Sequence, residues 1–312
     1  MLGIDLGRSE GRIAIFGASG PQIVSDADDA DAFPMAVAMD REGKPRTGHA
    51  ARKLLLERPE AGVEGFLGAL GSKRTFTFGE RTWTPTECAA LYLSQLAARA
   101  ESVLGAPPSR TAIAVPAYFN DVQRQAAVDA ARHAGLNAVC LVNEPTAVAL
   151  AWYFRHPKDR STIAVLDLDD DAFDVTLLDI RPDRYEILSC NGGSGLSGKD
   201  LAKVAAVVDR PLQQALQDAQ RTLDAVDDVV LAGGREHVAA LQHFLSEHHK
   251  RSSATPEHPE QAVALGAAVY ARISEALLRP PEAASAPSAT AGKGCLVLLL
   301  VCFAAAGLLL GF

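Results

Sequence analysis

One stretch near the middle of the chain, residues 163–180, constrains the fold most and reads IAVLDLDDDAFDVTLLDI. Two runs of aliphatic and β-branched residues, each of strand length, flank a short acidic segment, a pattern typical of two buried strands joined by a turn. Loops between buried strands often carry functional residues. The stretch therefore predicts a β-hairpin with a functional acidic tip, whose aspartates are Asp167, Asp169, Asp170, Asp171 and Asp174.

The start of the chain has the same layout. Residues 2–17, LGIDLGRSEGRIAIFG, place Asp5 and Gly7 at a tight turn between two apolar runs. Two such acidic hairpins predict two related lobes that face each other across a cleft.

Further segments follow in a fixed order: VPAYFNDVQRQAAVDAARHAGL at 115–136, VNEPTAVALAW at 142–152, VVLAGG at 229–234 and AVALGAAVYA at 262–271. Together with the hairpins, they resemble the ATPase domain of the Hsp70 family, which belongs to the actin and sugar-kinase superfold. The resemblance covers roughly residues 2–274, and several ordered motifs are far more specific than one glycine-rich pattern.

The resemblance implies an α/β, two-lobed, actin-like (RNase H-like) ATPase fold, with lobe I at 1–158 and lobe II at 159–278. Lobe II is expected to be reduced, because residues 199–230 stand where Hsp70 proteins have a whole subdomain that clamps adenosine. This segment has room for two helices, the second at about 212–223. A final helix is expected at 259–278.

The resemblance also implies a cleft for ATP or ADP with Mg²⁺. Glu144 opens a helix, so its carboxylate either organises the magnesium and water or compensates the helix dipole, and both roles are compatible. The positions equivalent to the family's nucleotide contacts are Asp5, Gly7, Glu144, Asp167, Gly195, Gly233 and Gly234.

Several positions depart from the family pattern. Counting back from Gly71, the catalytic lysine of Hsp70 proteins falls on Leu67, and the phosphate-loop threonine falls on Ala172, so no catalytic residue is expected to be intact. Lys73 stands six residues too late to replace the lysine unless the loop is shifted. In the first loop, Arg8 is either a solvated turn residue or a clamp for phosphate or carboxylate.

The acidic tip replaces three family glycines with Asp169, Asp170 and Asp171. At about 5 Å and an effective dielectric constant near 20, each pair of like charges costs roughly 3 kcal/mol. A micromolar ligand has only about 8 kcal/mol of binding free energy. The tip is therefore either a solvated acidic turn, which repels phosphate, or a hard-cation site formed with Asp5 and Asp167.

The carboxyl-terminal part has a different composition. Residues 279–293 are rich in Pro, Ala and Ser and predict a flexible linker. Residues 294–312 predict a transmembrane helix, because Cys295 to Phe312 is an uncharged run long enough, at about 27 Å, to cross the hydrocarbon core. The alternative, a buried helix, lacks a following segment that could cover it. Gly307 and Gly311 form a GxxxG pair that indicates weak homodimerisation.

Charge and cysteine content restrict the kinds of partner and the cellular environment that we expect for this chain. A net charge of −8 argues against a nucleic-acid partner, which would need clustered Lys and Arg. Five cysteines without a CxxC pair, and a start without a signal peptide, favour a reducing environment. We expect a single-pass membrane protein with a cytoplasmic amino-terminal domain. His243, His248 and His249 are expected to be surface residues rather than metal ligands.

The main functional hypothesis is a membrane-anchored, degenerate Hsp70-type domain that binds no cofactor, does not hydrolyse ATP, and acts as a platform for a protein partner that the sequence does not identify. The alternative is an ATP-binding slow ATPase or switch at the membrane.

Overall fold

The computed structural model describes residues 1–25, 30–168, 172–182, 184–194 and 204–278. Its strands are β1 (Leu2–Asp5), β2 (Glu10–Gly17), β3 (Gly20–Ile23), β4 (Phe33–Pro34), β5 (Ala36–Met39), β6 (Pro45–Thr47), β7 (Gly62–Glu64), β8 (Phe76–Phe78), β9 (Arg81–Trp83), β10 (Thr111–Val115), β11 (Val139–Asn143), β12 (Ser161–Leu168), β13 (Ala172–Arg181), β14 (Arg184–Ser194) and β15 (Asp228–Gly233). Its helices are α1 (Gly48–Glu57), α2 (Pro85–Leu104), α3 (Asp121–His133), α4 (Glu144–Arg155), α5 (Val204–Asp218), α6 (Arg235–His249) and α7 (Ala262–Leu278).

Both predicted hairpins are confirmed. β1 and β2 pair in antiparallel fashion at the centre of the first sheet, in which β10 and β11 run parallel to β1. β12 and β13 pair in antiparallel fashion within the second sheet, whose strand order is β14-β13-β12-β15. β15 runs parallel to β12. This mixed α/β arrangement agrees with the actin-like ATPase fold, while the division into lobes at residue 158 remains a prediction.

Two helices join the sheets. α7 packs against β1, β2 and β10 of the first sheet, α4 packs against β12 and β13 of the second, and the two helices contact each other closely. Glycine permits this approach: a Cβ on Gly266 would lie 1.8 Å from the carbonyl oxygen of Ala147, and one on Gly3 would lie 2.1 Å from the backbone nitrogen of Ala268. The backbones of β1, α7 and α4 therefore form one tightly packed stack.

Helix α2 begins with a complete capping box. The Thr84 hydroxyl accepts a hydrogen bond from the Glu87 backbone N–H, and the Glu87 carboxylate accepts one from the Thr84 N–H. Thr84 is therefore the N-cap of α2, with Pro85 in the first helical position.

One predicted helix differs from the structure. Instead of a helix at about 212–223, the described part of this segment contains α5, which ends at Asp218. The chain turns there because Gln220 takes a positive φ of 52° and the Arg221 N–H bonds back to the Leu216 carbonyl. Leu223, which continues the apolar spacing, instead begins a short 3₁₀ turn.

None of the described helices is long and apolar enough to cross a membrane. The predicted linker and transmembrane helix, residues 279–312, lie outside the described residues.

Candidate functional site

The carboxyl ends of parallel strands from both sheets meet at a cleft of about 730 Å³. Open α/β sheets commonly bind ligands at this position. Asp5 ends β1, Glu144 follows β11, Asp167 lies near the end of β12, and Gly233 ends β15. The structure thus brings together six of the seven predicted nucleotide contacts, which are Asp5, Gly7, Glu144, Asp167, Gly233 and Gly234. The seventh, Gly195, lies outside the described residues.

Three aspartates form the buried acidic part of the cleft. Asp5, Asp167 and Asp174 are only 8%, 9% and 6% exposed. Asp167 and Asp174 stand directly opposite each other on β12 and β13. Their short separation is fixed by the register of the hairpin, because opposed residues of antiparallel strands are nearest neighbours.

The predicted cation site is only partly described. Within the described ranges, no group of three or more His, Cys, Asp or Glu side chains is arranged to hold a metal ion. Three of the five proposed ligands, Asp169, Asp170 and Asp171, lie outside those ranges. The metal site stays a prediction.

The β15–α6 junction requires glycine. Gly233 has a φ of 106°, and a Cβ there would lie 2.1 Å from the Leu168 carbonyl oxygen. Gly234 is the N-cap of α6 and provides no side-chain cap. The backbone of this turn therefore lies directly on the cleft wall, where a side chain would not fit.

Arginine supplies the positive charge of the described cleft. Arg52 lies 2.5 Å from the Glu64 carboxylate and 3.8 Å from Glu10, and Arg12 lies 3.6 Å from Glu10. Arg8 donates a hydrogen bond to the Tyr118 hydroxyl instead. Two of the three arginines are therefore already neutralised by carboxylates of the cleft rim.

Tyr118 remains protonated next to these charges. Burial, with a smaller contribution from the Glu144 carboxylate, raises the pKa of Tyr118 to about 12, although Arg8 acts in the opposite direction. The hydroxyl is therefore a neutral group at physiological pH, and it holds the Arg8 guanidinium at the cleft.

Leu67, to which the sequence resemblance assigns the position of the family lysine, does not reach the cleft. It is 0% exposed and packs in the core with Phe66 and Tyr92. Lys73 is exposed and is not among the described cleft residues, none of which is a lysine. A Cβ on the next residue, Gly68, would lie 3.8 Å from the Arg8 Nη2 atom, so the Arg8 guanidinium occupies the space beside this turn. Ala172 lines the cleft with a methyl group.

Sequence reasoning missed several cleft residues. Glu10 and Arg12 alternate along β2, so the period of two could have placed both on one face. Arg52, Glu64 and Glu260 come from segments with no local signal for a site.

One histidine also differs from its prediction. His243 and His248 are exposed as expected, but His249 is 15% exposed and lies 3.3 Å from the Asp209 carboxylate. The reason is that α5 packs beside α6, which local spacing cannot reveal.

A protein-family model described as "Hsp70 protein" matches residues 73–208 and 201–280, together more than half of the chain. The matched segments include the 115–136 and 142–152 motifs, the second hairpin and the β15–α6 junction, whereas the first hairpin and Leu67 precede them.

Proposed function

Because this chain belongs to the Hsp70 family, we propose that it is a chaperone-related nucleotide-binding-type domain that has lost ATP hydrolysis and serves as a membrane-anchored platform for a protein partner. The burial of Leu67 is the observation that carries this proposal. Phosphoryl transfer depends on positioned charge at the reacting phosphate. At the position equivalent to the family lysine, the chain instead has a leucine that faces the core.

Charge in the cleft argues in the same direction. Seven carboxylates and three arginines line its described part: Asp5, Glu10, Glu64, Glu144, Asp167, Asp174 and Glu260, with Arg8, Arg12 and Arg52. Two of the arginines are paired with rim carboxylates, which leaves Arg8 as the main cation for an incoming phosphate. The aspartates at 169–171 add further negative charge to the same hairpin. A polyphosphate would meet repulsion unless a cation came with it.

Contacts to the adenosine part of ATP are also expected to be missing. The two matched family segments overlap at residues 201–208. This junction falls within 199–230, where the adenosine-clamping subdomain is expected to be missing. The loss of this part cannot be repaired by changes at the phosphate end.

Calorimetric titration of the full chain in detergent micelles with Mg-ATP tests the proposal. We expect no binding tighter than millimolar and no release of phosphate. Replacing Asp169, Asp170 and Asp171 together with glycine should relieve the repulsion and allow pyrophosphate to bind before any ATP turnover appears. Micromolar affinity for ATP in the unmodified chain would overturn the proposal.

A slow ATPase or switch is the second candidate. Its support is the convergence of Asp5, Glu144, Asp167 and the Gly233–Gly234 turn on one cleft. In that case the acidic tip would recruit Ca²⁺ or Mg²⁺, and millimolar cation should raise the melting temperature. Asp170→Asn should reduce this response, and an unchanged response would indicate a solvated turn without a metal role.

The membrane anchor is supported by the uncharged run Cys295 to Phe312. Alkaline carbonate extraction of membranes that contain the full-length protein tests it. We expect the protein to stay in the pellet, and its release into the supernatant would refute the anchor.

A further inference from the structure

A hydrogen bond beside the cleft joins the two sheets. The side-chain amide of Gln261 donates to the Asp31 carboxylate at 2.5 Å, although the two residues are 230 positions apart. Asp31 lies just before β4, which pairs with β2 of the first sheet. Gln261 ends the short 3₁₀ turn Pro259–Gln261, which contacts β15 of the second sheet. The bond therefore connects the two walls of the cleft.

Asp31 also ends a chain of ion pairs along the first wall. Its carboxylate lies 4.0 Å from Arg12, which lies 3.6 Å from Glu10. Arg52 continues the chain, at 3.8 Å from Glu10 and 2.5 Å from Glu64. The charges alternate in sign, and networks of this kind hold side chains in place better than isolated pairs do. We call this set the rim strap and define it as Glu64, Arg52, Glu10, Arg12, Asp31 and Gln261.

Two buried polar atoms of the cleft make no hydrogen bond within the described part of the chain. They are Nε of Arg12 on the first wall and Oε2 of Glu260 on the second. The two side chains are only 16% and 23% exposed, and their ion pairs with Glu10 and Arg235 use other atoms. A buried polar atom without a hydrogen bond costs free energy, so both atoms favour an arrangement that satisfies them.

These two atoms are complementary and lie on opposite sides of the Asp31–Gln261 bond. Arg12 Nε is 4.0 Å from Asp31, beyond hydrogen-bond distance, and Glu260 directly precedes Gln261. One atom is a donor on a cation and the other is an acceptor on a carboxylate, a combination that forms strong hydrogen bonds. A direct contact between them would satisfy both.

The connection between the walls allows them to move together. α7 packs on the first sheet, α4 packs on the second, and the two helices contact each other. Small sliding of packed helices is a common route to closure around a cleft. Movement along this interface can narrow the cleft without breaking either sheet.

We propose that the rim strap is a closing device: it holds the walls of the cleft together, and the cleft also adopts a narrower state in which the Arg12 guanidinium donates to the Glu260 carboxylate. Closure then depends on side chains of the protein itself and occurs without a nucleotide. A partner or ligand that enters the cleft has to break this contact first. The device requires neither ATP hydrolysis nor a membrane anchor, so its test is independent of the proposed function.

Distance measurement between the two walls tests the proposal. Spin labels are attached at Lys53 of α1 and Ala239 of α6, two exposed positions, through a genetically encoded ketone side chain that leaves the cysteines unmodified. Double electron–electron resonance then gives the distribution of distances in the full chain in detergent micelles. In the absence of nucleotide, we expect a narrow and a wide population.

Two substitutions remove the proposed contact from either side. Arg12→Met and Glu260→Met should each lower the ratio of narrow to wide molecules about tenfold, the low end for a hydrogen bond to a charged group. The double variant should lower the ratio no further, because both substitutions remove the same contact. Gln261→Glu keeps the size of the side chain but places a second carboxylate against Asp31, and it should also widen the cleft.

Arg235→Met is the matched control. Arg235 lies 3.6 Å from the other carboxylate oxygen of Glu260 but is 77% exposed, so the variant removes one positive charge from the same carboxylate on its solvent side. Exposed ion pairs contribute little, and we expect the ratio to stay within about twofold of that of the unmodified chain.

Several outcomes would refute the device. They are a single population of distances in the unmodified chain, a narrow population that appears only with Mg-ATP, an equal loss in Arg235→Met, or additive losses in the double variant. If Arg12→Met does not fold, Glu260→Met and Gln261→Glu still decide, since both leave the ion pairs of the first wall unchanged.

Discussion

Gly266 is the position at which a single methyl group should have the largest effect on the fold. In Gly266→Ala, the new Cβ would lie 1.8 Å from the Ala147 carbonyl oxygen and 2.3 Å from the Ala147 carbonyl carbon. Ordinary contacts of a Cβ begin near 3.4 Å, so α7 and α4 would have to separate by about 1.6 Å. Both partners are backbone, and no rotamer change can relieve the overlap.

The expected cost follows from two opposing contributions. Overpacking a well-packed interface typically costs about 1 to 3 kcal/mol, and a clash between backbones belongs at or above the upper end. Replacing glycine by alanine inside a helix by itself raises the free energy of unfolding by about 1 kcal/mol, because alanine has the higher helix propensity. The net loss in the free energy of unfolding is therefore about 2 to 3 kcal/mol, or roughly 5 to 10 °C in melting temperature for a domain of this size.

Thermal unfolding followed by circular dichroism measures this shift. Gly17→Ala is the matched control, because the nearest atom to its Cβ would be the Gly20 carbonyl oxygen at 4.0 Å. We expect the control to melt within about 2 °C of the unmodified chain. If Gly266→Ala proves as stable as the control, the close packing of α4 on α7 is wrong as described.

Three further substitutions test other parts of the structure. Leu67→Lys should lower stability by about 4 kcal/mol, equivalent to three pKa units of lysine desolvation, without producing ATPase activity, whereas Leu67→Met should be tolerated; restored turnover would contradict the burial of this position. Thr84→Ala should cost about 1 kcal/mol through loss of the cap, and Thr86→Ala much less; chemical denaturation that ranks them in the opposite order would assign the cap to Thr86. Burial alone would raise the pKa of Asp179, but hydrogen bonds from Arg160 and Arg181 outweigh it and lower the pKa. This carboxylate therefore stabilises the fold above about pH 4 and loses its contribution as the pH falls through its folded-state pKa. Asp179→Asn should therefore cost about 1 to 2 kcal/mol at pH 7 and progressively less as the pH falls below about 4, and a cost that does not change with pH would show that the charge is unimportant.

The hairpins could be predicted because burial forces a pattern on the sequence. Residues 163–168 and 172–180 are buried in the structure, and only aliphatic and β-branched runs of strand length satisfy that environment. The positions of Asp5 and Asp167 followed from these runs, since both residues lie near the strand ends that open on the cleft. Leu67 is buried in the core, and the absence of a catalytic lysine at this position stays a prediction.

Contacts between distant segments could not be predicted. Arg52 meets Glu64 and Glu10 only because α1, β7 and β2 are folded together, and each of these residues alone has the pattern of an ordinary surface charge. The end of α5 depends on the positive φ of Gln220, which is uncommon for a non-glycine residue. Such features are decided by tertiary packing rather than by local composition.

The contact between Gly3 and α7 has a consequence for how the protein is made. Gly3 lies against the backbone of Ala264 and Ala268, so the third residue of the chain is covered by residues more than 260 positions later. Closing so long a loop is slow, and this face of the first sheet cannot be covered until α7 has left the ribosome. During synthesis, one side of β1 stays uncovered for nearly the whole length of translation. The nascent chain should therefore bind chaperones throughout elongation and release them only when α7 docks.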